Sequence, residues 1–449
     1  MHSRKLTARL LVATFAAAAL PLIAAPSATA AEAATRPTED IYTAPEATPV
    51  CRAGICVHYA QDGTNDVPAE DDGAGGAWKG YADNGVPDFV DLVSASLLPK
   101  AATVLTDAGY RAPVGDGATG GGTDQVDIYL ADLADAVDGA FCTREGTPGV
   151  NAPAPGFCVL DNDYAAAEYG TRLSPAANLS LDVAHHYGTL VQFAYPAWWL
   201  WQDTFGTWLE DEIYPNLNRN RALLAFSPLA HPASSMWGMY GNSMLEDQGR
   251  WIFLRFLGER FPAEVGSLPV VVRDVLEHGD DALADRGTSL LREFTTFTGW
   301  NRAPAAFYDE GASYPTAPLA GNVMLNGTSA RTKTFRGTTE QWVSKSYRFR
   351  PSPSLSGLWR LRLDASSESI IQPSGKALVA TFKPKSGPAV TRVVDIDEGE
   401  RIEAALTFTF TTKVDWVEVR AVTGEAGVGS NPSETGEPLV EIRARVLRG

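Results

Sequence analysis

Near residue 303 the hydrophobic pattern of this chain changes period. From about 174 to 302, apolar residues recur every three to four positions, which lines one face of a helix. Beyond 321 they alternate, which suits strands with one buried face. Helical runs start after Ser174-Pro175 and continue through Trp201 to Tyr214, Tyr240 to Phe261, Pro269 to His278 and Ser289 to Trp300. Seven strand-like runs follow: Gln341 to Phe349, Leu358 to Leu363, Ala377 to Phe382, Thr391 to Ile396, Ile402 to Phe410, Val414 to Val419 and Leu439 to Val446. A chain with both patterns in separate blocks is α+β and multidomain. The spacing predicts a helical domain over 166–310 and an antiparallel β-sandwich over 321–449.

The first third reads differently. Val57 to Ala60 and Gln125 to Leu130 look like strands, Phe89 to Asp107 looks helical, and Gly- and Pro-rich loops fall at 112–123 and 144–156. Residues 49–165 are therefore expected to form a small α/β unit. Its four cysteines, Cys51, Cys56, Cys142 and Cys158, suit two disulfides, and proximity favours Cys51 with Cys56 and Cys142 with Cys158. Upstream, Arg4, Lys5 and Arg9 precede an apolar stretch and Ala28-Thr29-Ala30, the order of parts in a secretory signal peptide over 1–30. Residues 31–48 have no hydrophobic period and are expected to be a flexible lead-in. The expected product is secreted and extracellular, where disulfides persist.

Charge narrows the partners. With 37 Lys+Arg against 54 Asp+Glu the formal charge is -17, and no basic stripe offsets it, so a nucleic-acid partner is not expected. No segment after the signal is long and apolar enough for a membrane span. The chain also lacks a G-x-S-x-G elbow or a glycine loop leading into Lys-Ser or Lys-Thr, so serine-hydrolase and nucleotide-binding readings have no anchor.

Asp182 to Tyr195 carries the chemistry. On a helical wheel Leu179, Val183, Tyr187, Leu190 and Ala194 form a core face, while Asn178, Asp182, His185, Thr189 and Gln192 stack on a second face. Val183-Ala184-His185, Val191-Gln192-Phe193-Ala194-Tyr195, Trp198-Trp199 and Thr207-Trp208-Leu209-Glu210-Asp211 fit a family pattern, as do Asn84-Gly85-Val86-Pro87-Asp88 and Asp127-Ile128-Tyr129-Leu130. On these residues the chain resembles a family of secreted bacterial metalloproteases of the zincin type, across most of residues 50 to 260. The resemblance implies a zincin-like helical domain and a zinc site built on H-E-x-x-H, with two histidines one turn apart on the metal and the Glu as general base.

The motif departs from that pattern, reading His185-His186-Tyr187-Gly188-Thr189. By the resemblance, the ligand positions are His185, Thr189 and Asp203, and His186 stands at the general-base position. Adjacent helical residues point about 100° apart, so His186 does not chelate beside His185. A Thr hydroxyl is a poor zinc donor. Three roles for His185 stay open: a hydrogen bond to Asp203 or a neighbouring carboxylate, a rearranged metal site with Asp182 and Asp203, or the family ligand set. On the next helix Asp203, Thr207 and Glu210 share a face turned toward His185. Phe205, Trp208 and Ile213 read as core and Glu210-Asp211-Glu212 as a solvated face, so Asp203 alone is assigned to the site.

The turn Asp83-Asn84-Gly85-Val86-Pro87-Asp88 resembles the end of a calcium loop, with Gly80 and Ala82 where acidic ligands are wanted and Glu70, Asp71 and Asp72 near enough in sequence to fold back. The competing reading is an Asn-Gly turn with Asp88 as helix N-cap. His231 and His278 read as isolated surface or hydrogen-bonded histidines, and Trp198, Trp199, Trp201 and Trp208 as core. The expected protein is a secreted, metallopeptidase-like and non-catalytic chain with a degraded zinc site and a peptide or protein partner. No cofactor is expected, with zinc bound only if the site is retained and calcium only if the turn holds it. The alternatives are a metal-dependent hydrolase with a non-standard ligand set and a cell-surface or glycan-binding module.

Overall fold

Two antiparallel strand pairs, each crossed by a disulfide, form the two ends of a mixed five-stranded sheet. The computed structural model describes residues 42, 44–71, 78, 81, 83–117, 120–133, 140–146, 152–196, 201, 203–237, 243–327, 330–336, 342–368, 375–397, 403–424 and 439–449. The expected signal peptide, Trp198 and Trp199 lie outside these residues, as do Asp72, Gly80 and Ala82.

The sheet runs β1-β2-β3-β5-β4, with β1 (Val50–Arg52), β2 (Ile55–His58), β3 (Val126–Ala131), β4 (Ala140–Arg144) and β5 (Gly156–Asp161). β2, β3 and β5 are parallel, while β1 and β4 cap the edges antiparallel. Cys51 lies directly opposite Cys56 and Cys142 opposite Cys158, each pair 4.0 Å apart at Cα and joined by a disulfide. Both expected pairings are thus cross-strand links that lock register. β3 and β5 are buried along their whole length, as suits parallel strands covered on both faces.

The Phe89 helix spans Asp88–Asp107 and is called α1. Its middle, Leu92–Leu97, widens into a π-helical segment between two α-helical ones. It is long and apolar enough to cross a membrane, yet Phe89, Val93, Leu97, Ala101 and Leu105 belong to the main hydrophobic core. Pro87, not Asp88, is its N-cap residue, and Asp88 is the first helical residue, fully buried.

The helical run follows as expected: α2 (Pro175–Gln192), α3 (Thr204–Ile213), α4 (Ser243–Gly249), α5 (Trp251–Arg260), α6 (Val270–His278) and α7 (Leu290–Trp300). The single run read from Tyr240 to Phe261 divides at Arg250 into α4 and α5. α2 begins where Ser174 accepts the Ala177 amide, 3.2 Å away, with Pro175 in the first turn where a missing N–H costs nothing.

Beyond Gly321 all seven expected strands form and two more appear: β6 (Gly321–Leu325), β7 (Ala330–Arg336), β8 (Val343–Pro351), β9 (Trp359–Glu368), β10 (Lys376–Pro384), β11 (Val390–Asp397), β12 (Glu403–Thr409), β13 (Val414–Thr423) and β14 (Leu439–Arg448). They make two sheets, β11-β10-β13-β8-β6 and β12-β9-β14-β7. Every pairing is antiparallel except β6 with β8. One apolar cluster draws on both sheets, with Phe349, Leu378 and Val417 from the first and Leu361, Leu363 and Ile442 from the second.

Of the expected lead-in, residues 31–41 and 43 lie outside the described residues, and the rest is tied down: the Tyr42 hydroxyl donates to the Leu130 carbonyl at 2.7 Å, and the Ala47 amide donates to the Tyr59 carbonyl at 2.9 Å.

Candidate functional site

The polar face of α2 meets α3 across two glycines. A Cβ on Gly206 would stand 2.4 Å from Cδ2 of His185, and one on Gly188 would stand 2.8 Å from a Leu209 methyl. No side chain larger than hydrogen fits at either place without movement, so the helices close until α3 backbone lies against the His185 ring.

That approach sets the partners of His185. Its Nδ1 lies 2.8 Å from Oε1 of Glu210, on the segment read as a solvated face. Glu210 and Asp211 are in fact buried, 3% and 2% exposed. Burying carboxylates needs compensating charge, and Arg219 supplies it. Its Nη2 is 2.5 Å from Oδ1 of Asp182 and 2.9 Å from Oε1 of Glu210, while its Nε donates to Oε2 of Glu210 at 3.0 Å. Arg255 does the same for the rest of the run, 3.2 Å from Glu212 and 3.6 Å from Asp211.

The hydrogen-bond partner of His185 is a neighbouring carboxylate, Glu210 rather than Asp203. Sequence reasoning turned Glu210 toward His185 but discounted it because its acidic run has an ordinary surface appearance, and it missed Arg219. Arg219 stands in Asn218-Arg219-Asn220 with no periodic or motif signal.

Titration follows the contacts. Burial pushes the His185 imidazole toward the neutral form, but the Glu210 carboxylate outweighs it and holds the pKa above the ordinary value. Burial works to raise Glu210, and the Arg219 and His185 charges hold it below the usual range. Asp182 and Asp203 stay raised, because burial dominates for both. His186 is pushed well below its ordinary value by burial and by the neighbouring charges of His185 and Arg219. His186 turns away from α3, its Nδ1 3.5 Å from the Cys142 sulfur on β4, as the 100° step between adjacent residues requires.

These groups line a cleft of about 560 Å³. Asp182, His185, His186, Thr189, Asp203, Glu210 and Arg219 form its polar part, and Phe141, Phe193, Leu223 and Met244 its apolar part. Asp203 sits just before α3 with φ of 57°, in the left-handed region that Asp tolerates better than most residues.

The donors do not fit zinc as the resemblance places it. The Thr189 hydroxyl donates to the His185 carbonyl at 3.2 Å, in the back-bond common to helical threonines. Asp182 and Glu210 are committed to the Arg219 guanidinium. Among the described residues the one group of three His, Cys or carboxylate donors within metal-binding reach is Asp161, Asp163 and Glu168, away from this cleft. Asp161 there accepts the amides of Leu133, Asp163 and Tyr164, which makes it a loop staple.

The calcium-like turn also spends its oxygens on protein donors. Asp71 does fold back, accepting the Asn84 and Gly85 amides at 3.2 and 2.7 Å. Asn84 donates to Asp91 at 2.7 Å, and Arg52 donates to the same carboxylate at 2.8 Å. His231 bonds the Ala225 carbonyl at 2.8 Å, and His278 closes the last turn of α6.

No family model matches the chain, and no curated protein matches it. Among solved structures, the infectious bursal disease virus Gx strain aligns at 13% identity over 27% of this chain and 33% of that one, with a TM-score of 0.18. The VP2 subviral particle of the same virus aligns at 12% over 27% and 34%, also at 0.18. The alignments span about a third of those viral chains, and at such scores they carry no structural argument.

Proposed function

We propose that the protein is a secreted, non-catalytic relative of zincin metallopeptidases that keeps the cleft as a binding surface for a peptide or protein partner. The observation that carries this reading is the placement of Arg219. A guanidinium bonded to both Asp182 and Glu210 fills, with its own positive charge, the electrostatic need that a metal meets in a zincin. The altered positions agree with it: Thr189 bonds its own helix, and His186, at the general-base position, faces the disulfide of β4 and β5.

Two disulfides in the described chain are compatible with an extracellular setting. The paired C-terminal sheets with their common core suit the β-sandwich expected for 321–449. A polar floor with Phe141, Phe193, Leu223 and Met244 beside it is the mixture by which a cleft holds a peptide: apolar area for affinity and a few polar groups for register.

Metal analysis of the purified protein tests the proposal together with peptidase assays of wild type and His185→Ala. The expected result is far less than one zinc per chain and no activity separating the two proteins. One tightly held zinc per chain, with hydrolysis lost in His185→Ala, overturns it.

A further inference from the structure

We infer that the outer face of the sheet β12-β9-β14-β7 binds a polysaccharide of uronic acids, through Arg360 and Arg362 of β9 and Arg443 and Arg445 of β14. Alternation sorts the side chains of these two strands. Leu361, Leu363, Ile442 and Ala444 lie in the core shared with the other sheet, so Arg360, Arg362, Asp364, Glu441, Arg443 and Arg445 stand on the face turned to solvent. Among the described side chains of that face, the charged ones are these four arginines and two carboxylates, in a chain with 37 Lys+Arg against 54 Asp+Glu. The local sign is the reverse of the global one. No stretch of sequence shows the stripe, because strand pairing assembles it: Arg445 and Asp364, which bond each other, are 81 positions apart.

Register sets the spacing. Arg362 lies directly opposite Arg445 and Asp364 opposite Arg443, so the arginines climb the strand pair from Arg360 to Arg443 over about 13 Å, at roughly 3.3 Å per residue. The stripe already holds one carboxylate. Arg362 donates from Nε to one oxygen of Asp364 at 2.8 Å, and Arg445 donates from Nη2 to the other at 2.8 Å, which is how guanidinium forks recognise a planar carboxylate. Burial works to raise the Asp364 carboxyl, and these two arginines hold it below its ordinary range. The arginines remain accessible, with the side chains of Arg362, Arg445 and Arg443 47%, 52% and 60% exposed. Exposed ion pairs contribute little, so carboxylates carried on a polymer can exchange for those of Asp364 and Glu441. On β12, Thr407 and Thr409 stand opposite Arg362 and Arg360, both exposed, and offer hydroxyls to a sugar. A nucleic acid fits less well, since a charge every 1.7 Å of duplex asks for more cations than this face presents and meets an acidic protein around it.

The test titrates the full chain with a galacturonic acid oligomer, its methyl ester, a sulfated galactose oligomer and single-stranded oligothymidylate. Calorimetry at low salt reads the binding, with a chelator present so that no divalent ion bridges protein and polymer. The expected result is saturable binding of the galacturonic acid oligomer that weakens as salt rises, and none of the ester, which keeps the sugar but lacks the charge. Arg362→Gln combined with Arg445→Gln should weaken that binding at least about tenfold. Both side chains are exposed, so the double variant should melt close to wild type, and Arg443→Gln serves as a second variant on the same stripe.

No binding of the free acid by wild type overturns the inference, as does equal binding of its ester or unchanged affinity in the folded variants. So does binding of the sulfated oligomer or of oligothymidylate as tight as that of the galacturonic acid oligomer, which would mean attraction of any polyanion without recognition of carboxylates. The comparison of acid with ester needs no variant to fold. These residues share nothing with the cleft of α2 and α3, so each of these outcomes leaves the function proposed above where it stood.

Discussion

At residue scale the site is set by one hydrogen atom. Gly206 is the third residue of α3, and glycine inside a helix ordinarily costs up to about 0.5–1 kcal/mol relative to alanine, so Gly206→Ala on propensity alone should stabilise α3. Its Cβ would instead meet the His185 ring at 2.4 Å, against the buried side of a side chain held by Glu210. The expected outcome of chemical denaturation is a loss of about 1–3 kcal/mol, the usual cost of overpacking a tight contact. A gain in stability would mean the ring has room that the packing denies it. Glu210→Gln belongs beside it. Neutralising that carboxylate leaves Arg219 with Asp182 alone and takes from His185 the charge it is hydrogen-bonded to. Breaking a buried pair costs about 3–5 kcal/mol, and since Arg219 is partly exposed the expected loss is at the low end, about 3 kcal/mol by urea melt. What the sequence made legible here was geometry. The wheel placed Asp182, His185 and Thr189 on one face, and all three line the cleft. Their partners were hidden because a charge brought in from another segment leaves no periodic trace, and a buried Glu spells the same as a solvated one.

At the scale of elements, the strands beyond β7 read well from their alternation, while the first sheet read unevenly. The alternation of β8 to β14 announced itself. β5, Gly156–Asp161, is buried throughout and follows a Pro-rich loop, so its short apolar run gave no period-2 signal, and β4 was missed with it. β6 was missed because it is a half-exposed edge strand. β2 carries a residue that sequence reasoning passed over entirely. His58 is 1% exposed, with Nε2 2.9 Å from Asp127 on β3, Nδ1 bonded to Glu46 of the segment leading into β1, and its ring stacked on Tyr129 at 4.4 Å. Burial works to lower its pKa, but the bonds to Asp127 and Glu46 prevail and raise it. A folded pKa above the unfolded value of 6.5 means that the stabilisation is fully present below pH 6.5 and is lost as pH rises through the folded value. Protection of the Ala47 amide, which donates to Tyr59 beside Glu46, should therefore weaken toward alkaline pH beyond the intrinsic rise in exchange. His58→Gln should show no such extra pH dependence. A wild-type profile that tracks the variant would mean that the bonds of His58 do not hold the Glu46 segment against the sheet.

Across the whole molecule, the change of period near residue 303 separates two kinds of structure, each with a core of its own, but the strands contribute to both cores. Trp342, Ala377 and Val422 from the strands join the hydrophobic cluster of the helices, with Trp342 set edge-on against Phe294 of α7 at 5.5 Å. Backbone bonds cross the same seam, from Met236 to the Trp342 carbonyl at 3.1 Å and from Ser344 to the Pro232 carbonyl at 2.6 Å. Its charged rivet is Glu418 on β13, gripped by Arg302 after α7 at 2.8 and 3.2 Å and by Arg348 on β8 at 2.7 and 3.0 Å. Burial would raise this carboxyl, yet the two guanidinium groups hold it below its ordinary range. The sign is the reverse of that at His58: this stabilisation is present above the unfolded pKa of about 4.3 and is lost as pH falls through the folded value. Glu418 is 4% exposed, so Glu418→Ala leaves two arginines facing a buried gap, a loss of about 3–5 kcal/mol. The loss falls on the seam rather than on either part's interior. Wild type should therefore melt in one transition by tryptophan fluorescence and by far-ultraviolet dichroism, since shared apolar surface couples the halves. In Glu418→Ala the two probes should separate, with the tryptophan-rich helical part and the strands unfolding at different temperatures. Coincident curves in the variant, shifted together, would mean that the apolar seam alone couples the two and that Glu418 adds stability without joining them.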